Sequence, residues 1–198
     1  MNDVNTTLAG LIGSRICHDL ISPIGAINNG LELLGMSGNP DGPEIGLIGE
    51  SVGNASARIR FFRVAFGAAG DQLVGVAEVQ SILRDLYDAS RLTPNWTVET
   101  PVQRAEVRLV FLAVMCMETA MPYGGKIDIS CTEGRWSLAG TADRVNVNAD
   151  LWALLSGAAA QNDLLPSHVQ FALLPLIAQD CARRVTCQTD DTTIQVAF

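Results

Sequence analysis

Two apolar seams separated by one cluster of turn residues constrain this chain more than any other feature. From about Thr7 to Leu34, residues Ile12, Ile16, Leu20, Ile27, Leu31 and Leu34 share one broad face when set at about 100° per residue. That periodicity predicts a long amphipathic helix. The run Ser37-Gly38-Asn39-Pro40-Asp41-Gly42-Pro43 cannot continue it, because proline lacks the donor a helix needs and glycine favours turns. Beyond it, Ile45, Ile48, Val52, Ala55, Ile59, Phe62 and Phe66 recur at spacings of 3, 4, 3, 4, 3 and 4, the seam of a helix packed in a bundle. Residues 1–70 are therefore expected to form an antiparallel helical hairpin. A lone hairpin leaves part of each stripe in water, and a second copy is the simplest cover, so a homodimeric four-helix bundle is expected.

After Gly67-Ala68-Ala69-Gly70 the pattern changes, and residues 71–198 are expected to be a second module. Periodicity predicts helices over Val76–Arg91 and Arg104–Met121, with a short strand at Trp96–Glu99 between them. Strands are predicted at Lys126–Thr132 and Arg135–Thr141, joined through Glu133-Gly134 as a hairpin turn. A short helix follows at Ala149–Gly157, then a helix capped by Ser167 and running to about Ala182, and a last strand pair at Arg183–Gln188 and Thr192–Phe198. The fold class is α+β, with the second module an α/β sandwich of helices on a mainly antiparallel sheet.

Charge then excludes whole classes of partner. Among 198 residues, 13 basic and 21 acidic side chains give 13 − 21 = −8. No general positive field attracts nucleic acid or anionic lipid. Lys126 is the single lysine, which removes most candidates for amine chemistry. Cys17, Cys116, Cys131, Cys181 and Cys187 are odd in number and lie mostly among apolar neighbours, as buried thiols of a reducing compartment do. The first residues lack a basic, then apolar, export pattern, and no continuous apolar stretch is long enough to span a bilayer. A cytoplasmic location is expected, and the N-x-S/T triplets at Asn5, Asn54 and Asn95 are chance matches.

His18 carries the most chemical information. On the helical wheel it lies about 160° to 200° from Ile16, Leu20, Ile27 and Leu34, opposite the stripe, and so faces solvent. Ser14, Ser22, Gly25 and Asn29 share its face, small or polar side chains that let another protein approach. An exposed imidazole with such neighbours suits phosphoryl transfer, since its neutral nitrogen attacks in line with room for the donor. Asp19 orients the imidazole or accepts its proton, or is a solvated helix charge. Ser22, one turn on, bonds the phosphoryl group or back-bonds to the helix. Pro23 is expected to bend the helix. Arg58, Arg60 and Arg63 come to about the level of His18 once the hairpin folds back, either to meet the phosphoryl group or to offset a helix C-terminus. His168 has no acidic or nucleophilic pattern beside it and is read as a surface histidine near a helix start.

The stretch His18-Asp19-Leu20-Ile21-Ser22-Pro23 resembles the H-box of two-component signalling. The longer run Ile16-Cys17-His18-Asp19-Leu20-Ile21-Ser22-Pro23-Ile24-Gly25-Ala26-Ile27-Asn28-Asn29-Gly30-Leu31-Glu32-Leu33 is similar to the ChpT-type histidine phosphotransferases of alphaproteobacteria, and the order of elements matches over the whole chain. The resemblance implies a dimer built on the hairpin. It also implies a second module that copies the GHKL-type ATPase domain of histidine kinases without binding nucleotide. His18 would then take a phosphoryl group from one receiver-domain aspartate and pass it to another.

A working kinase of this kind holds Mg²⁺ through asparagines on one helix, adenine through Asp-x-Gly, and phosphates under a glycine-rich lid. Aligned on Pro122-Tyr123-Gly124-Gly125, this chain has Leu112 and Cys116 at the asparagine positions, which lack hard oxygen ligands. Ala139-Gly140-Thr141-Ala142-Asp143-Arg144 holds no Asp-x-Gly, and Pro166-Ser167-His168-Val169-Gln170 holds no glycine. Gly124-Gly125 is read as a loop. No cofactor or metal is expected here, with Mg²⁺ supplied by the partner receiver. The resemblance points to a CckA-like hybrid kinase as donor and CtrA-like and CpdR-like response regulators as acceptors. The alternatives are an ATP-dependent histidine kinase and a non-catalytic dimeric scaffold that docks response regulators.

Overall fold

A computed structural model describes residues 2–37, 42–68, 70–158 and 164–198. Helix α1 spans Asn2–Ser37 and α2 spans Pro43–Ala65, with Pro43 at the first helical position, where its missing donor costs nothing. The residues between them, Gly38 to Asp41, lie outside the described residues, as does Ala69 of the expected linker. Helix α1 runs through Pro23 as one unbroken element, and the Pro23 side is buried. The two helices meet closely at Gly30, where an added Cβ would lie 2.6 Å from Ile48 Cγ1. Ile48 therefore points into the hairpin. Ile45, Val52 and Ile59, from the same seam, remain 46%, 47% and 47% exposed.

The second module opens with β1 (Leu73–Val74), α3 (Val76–Tyr87), β2 (Leu92–Trp96), β3 (Val102–Gln103) and α4 (Arg104–Ala120). It continues with β4 (Gly125–Thr132), β5 (Arg135–Thr141), α5 (Ala149–Leu155), a 3₁₀ turn (Pro166–His168), α6 (Val169–Asp180), β6 (Thr186–Thr189) and β7 (Thr193–Ala197). The main sheet has the order β2-β4-β5-β7-β6, antiparallel except for β2 beside β4. Register places Ile129 opposite Leu138 and Leu138 opposite Val196, so alternate residues of three strands form one buried face under the helices. Glu133 and Gly134 have φ of 52° and 77°, the double left-handed geometry of a two-residue hairpin loop. Gly124 and Gly125 form a turn with positive φ, and a Cβ on Gly124 would lie 2.2 Å from the Arg91 carbonyl oxygen.

Several expected boundaries move, each for a local reason. The strand placed at Trp96–Glu99 is instead Leu92–Trp96; Pro94 is tolerated because β2 is an edge strand. Helix α3 stops at Tyr87 because the chain turns there: Ser90 N–H bonds the Tyr87 carbonyl, and Ser90 Oγ accepts from Leu92 N–H. Ser167 does not cap α6. Pro166 starts a 3₁₀ turn that moves the cap position to His168, and the helix ends before Ala182, whose φ is 54°. Helix α5 likewise ends short of Gly157, at φ 92°. Cys17, expected among buried thiols, is exposed, because it lies on a face of α1 that α2 does not cover.

The hairpin and the second module share one core. Phe61 on α2 stacks on Phe111 of α4 with ring centroids 4.5 Å apart, and both are buried. The α2 C-terminus is capped from α4: Arg104 Nη2 donates to the Arg63 carbonyl at 2.5 Å and Arg108 Nε to the Ala65 carbonyl at 3.2 Å. These contacts hold the base of the hairpin against the sandwich. Among the described residues no helix is long and apolar enough to cross a membrane.

Candidate phosphotransfer site

The His18 side chain is 83% exposed, midway along α1. Asp19 next to it is only 10% exposed, because its carboxylate turns towards α2 and the second module. Asp19 Oδ1 lies 3.1 Å from His18 Nδ1. A carboxylate only accepts, so this contact places the ring proton on Nδ1 and leaves the Nε2 lone pair facing solvent. Asp19 Oδ2 accepts from Arg15 Nε at 2.8 Å and lies 3.8 Å from Arg58 Nη1. Pro23, four residues on, supplies no N–H to the Asp19 carbonyl, so the backbone is also less saturated at this level.

The expected docking face is open. Ser14, Ser22 and Asn29 are exposed. Gly25 is half-buried, with open space where its Cβ would stand. Two apolar side chains border it: Ile21 is 69% and Ile24 49% exposed. Cys17, Leu20, Ile24 and Leu31 form a second apolar line on α1 at spacings of three, four and seven, a signal the single broad stripe concealed.

The three arginines of α2 separate. Arg58 reaches Asp19 and is steadied by Asn54, whose Oδ1 accepts from Arg58 Nε at 2.9 Å. Arg60 points to α3, where Nη1 bonds Asp85 at 2.7 Å and Nη2 lies 3.3 Å from Ser81 Oγ. Arg63 is exposed in the last turn of α2. Close in sequence, they project in different directions because successive helical residues turn by about 100°.

Behind Asp19 lies a cleft of about 110 Å³ between hairpin and sandwich, lined by Arg15, Arg58, Tyr87, Met115 and Glu118 among others. Tyr87 OH donates to Glu118 Oε2 at 3.2 Å. Glu118 has exposed surface at the mouth, but its carboxyl is recessed, and burial raises its pKa against the pull of Tyr87, Arg15 and Arg58. Burial and the facing Glu118 carboxyl likewise raise that of Tyr87. Leu112 and Cys116 are fully buried in α4 and turn no atom to solvent. Among the described residues no cluster of three or more His, Cys, Asp or Glu side chains could hold a metal ion.

The sequence profile described as the histidine phosphotransferase C-terminal domain matches residues 76–193. The protein phosphotransferase ChpT of Brucella abortus (strain 2308) is 33% identical over 186 residues, covering 90% of this chain and 88% of that protein. A solved structure described as a bacterial phosphotransferase superimposes with a TM-score of 0.79 at 31% identity, covering 97% of this chain and 95% of the other.

Proposed function

The chain belongs to the ChpT-type histidine phosphotransferase family and is a histidine phosphotransferase of a phosphorelay, and from that premise we propose that His18 is the residue that carries the phosphoryl group. The observation that supports this most is an imidazole 83% exposed with Nδ1 held 3.1 Å from a sheltered carboxylate. Nε2 attacks the phosphorus of an aspartyl phosphate on a receiver domain, approached to within about 3 to 3.5 Å in line with the leaving oxygen. The N–P bond forms as the P–O bond breaks, and the electron pair of that bond returns to the receiver carboxylate. Positive charge gathers on the ring, and Asp19 stabilises it through Nδ1–H. Onward transfer reverses these steps on a second receiver.

Ser14, Ser22, Gly25 and Asn29 form the floor on which the receiver sits, and Arg58 is the α2 arginine best placed to act near it. The receiver supplies Mg²⁺; this chain brings neither cofactor nor metal, a reading supported by the buried Leu112 and Cys116 at the positions of kinase asparagines. The protein works as a cytoplasmic homodimer, with Leu20, Ile24, Ile45, Val52 and Ile59 covered by a second copy to complete four helices. A CckA-like receiver is the donor, and CtrA-like and CpdR-like regulators are the acceptors, to be checked by transfer time courses against each receiver.

His18→Gln is expected to fold and dimerise normally yet accept no label from a phosphorylated receiver. Label retained on that variant overturns the assignment of His18. Calorimetry with millimolar ATP and Mg²⁺ should show no binding; saturable micromolar binding would instead favour an ATP-dependent kinase.

A further inference from the structure

We infer that Arg15 is a positioning residue for phosphotransfer: it holds one oxygen of Asp19 so that the other meets His18 Nδ1, and it anchors this arrangement to the second module. The inference rests on His18 being the phosphoacceptor. The Arg15 guanidinium uses two donors in two directions. Nε bonds Asp19 Oδ2 at 2.8 Å, while Nη1 bonds the Ser167 carbonyl at 2.9 Å, across 152 positions of sequence. Ser167 lies in the 3₁₀ turn that leads into α6, so the fork bridges α1 and the sandwich. A planar guanidinium offers both bonds at fixed angles, which a lysine ammonium on a flexible stem does not.

The consequence is a matter of geometry around one carboxylate. An exposed imidazole in water divides its proton between two nitrogens, and only the form with Nδ1–H leaves Nε2 nucleophilic towards solvent. With Oδ2 fixed by Arg15, Oδ1 is committed to His18. Without Arg15, the nearest cation to Asp19 is Arg58, at 3.8 Å, and the carboxylate is free to rotate towards it and away from the ring. The other charged or titratable groups here are Glu118 of α4 and Tyr87 of α3, which share the cleft with Arg15 and Arg58, and His168, whose pKa burial and Arg15 lower. None of these is hydrogen-bonded to Asp19 among the described contacts.

The test combines nitrogen NMR of His18, at a pH where the ring is neutral, with the rate of phosphoryl acceptance from a phosphorylated receiver. Arg15→Met keeps the aliphatic stem and removes both donors. It should shift the ring towards the Nε2–H form and slow acceptance by about 10-fold, with half-saturation by receiver unchanged. Arg15→Lys keeps a cation four residues before Asp19 but cannot bridge to Ser167, and should fall between wild type and the Met variant in both readouts. A wild-type tautomer in Arg15→Met, whatever its rate, overturns the inference, as does a wild-type rate. Should the Met variant not fold, Arg15→Lys decides alone: a shifted tautomer with a slower rate supports the role, and wild-type behaviour in either readout refutes it. Label on His18→Gln would instead remove the underlying assignment, so the two failures are distinguishable.

Discussion

Helices α1 and α4 are both rich in apolar residues and end in opposite surroundings. In α4 every residue from Leu109 to Met117 is buried, with Val110 to Val114 at 0% exposure. In α1, Ile21, Ile24, Leu31, Leu33 and Met36 are exposed by 69%, 49%, 52%, 49% and 85%. Helix α4 is surrounded by the sheet, α6 and the base of α2, and serves stability. Helix α1 offers an apolar line on one side and a small, polar face with His18 on another, the two surfaces proposed above for a second copy and a receiver. Apolar content alone does not separate these roles; what does is whether the same chain supplies a cover.

The widest gap should appear on truncation. Phe111→Ala removes the ring stacked on Phe61 and should destabilise the protein by about 3–5 kcal/mol in urea denaturation. Ile24→Ala on α1, in protein diluted to the monomer, should cost no more than about 0.5 kcal/mol. Equal losses at both sites would erase the contrast. Next in size is Ile59→Glu, which sets a charge into the proposed contact between copies and should weaken the dimer by about 2 kcal/mol or more, with circular dichroism unchanged. Light scattering that finds wild-type protein monomeric at high concentration, or the variant dimerising as tightly, would show that the exposed line on α2 is not the contact.

A smaller effect separates the two faces of α1. Gly25→Trp places a large ring where nothing lies within 4 Å of its Cβ, so the dimer should persist while transfer slows by about 10-fold or more. A folded dimer transferring at the wild-type rate would put receiver docking elsewhere.

The smallest concerns the cleft between the regions. The Glu118 carboxyl has a folded pKa raised above its unfolded value, chiefly by burial. Its contribution to stability is therefore fully present below the unfolded value near about 4.3 and declines as pH rises through the raised one. Glu118→Gln keeps an acceptor for Tyr87 and removes that decline. The variant should gain slightly on wild type between mildly acidic and neutral pH in thermal melts. A gain that is the same at every pH, or a loss at neutral pH, would contradict burial as the dominant cause.

Much of this was legible before any coordinates. The helical period around Ile12 to Leu34, the proline- and glycine-rich break, and the alternation in β4, β5 and β7 each reflect local geometry that the backbone imposes. The exposure of His18 follows from the same period. Even the Arg15–Asp19 pair has a local signal, opposite charges four residues apart on a helix. The Cys17–Leu31 line was hidden because two adjoining apolar faces on one helix merge into one broad stripe.

By itself, then, the sequence determined the helical hairpin, the β4–β5 and β6–β7 strand hairpins and the face on which His18 stands, since these depend on the order of neighbours along the chain, whereas the β2–β4 and β5–β7 pairs join distant segments. Tertiary structure alone decided that Pro94 sits on an edge strand, that Arg58 turns to Asp19 while Arg60 turns to Asp85, and that the Ser167 carbonyl receives Arg15. Each of those depends on a partner far away in sequence. A side chain's spacing states which way it leaves its own helix, but what it meets there is set only when another element packs against it.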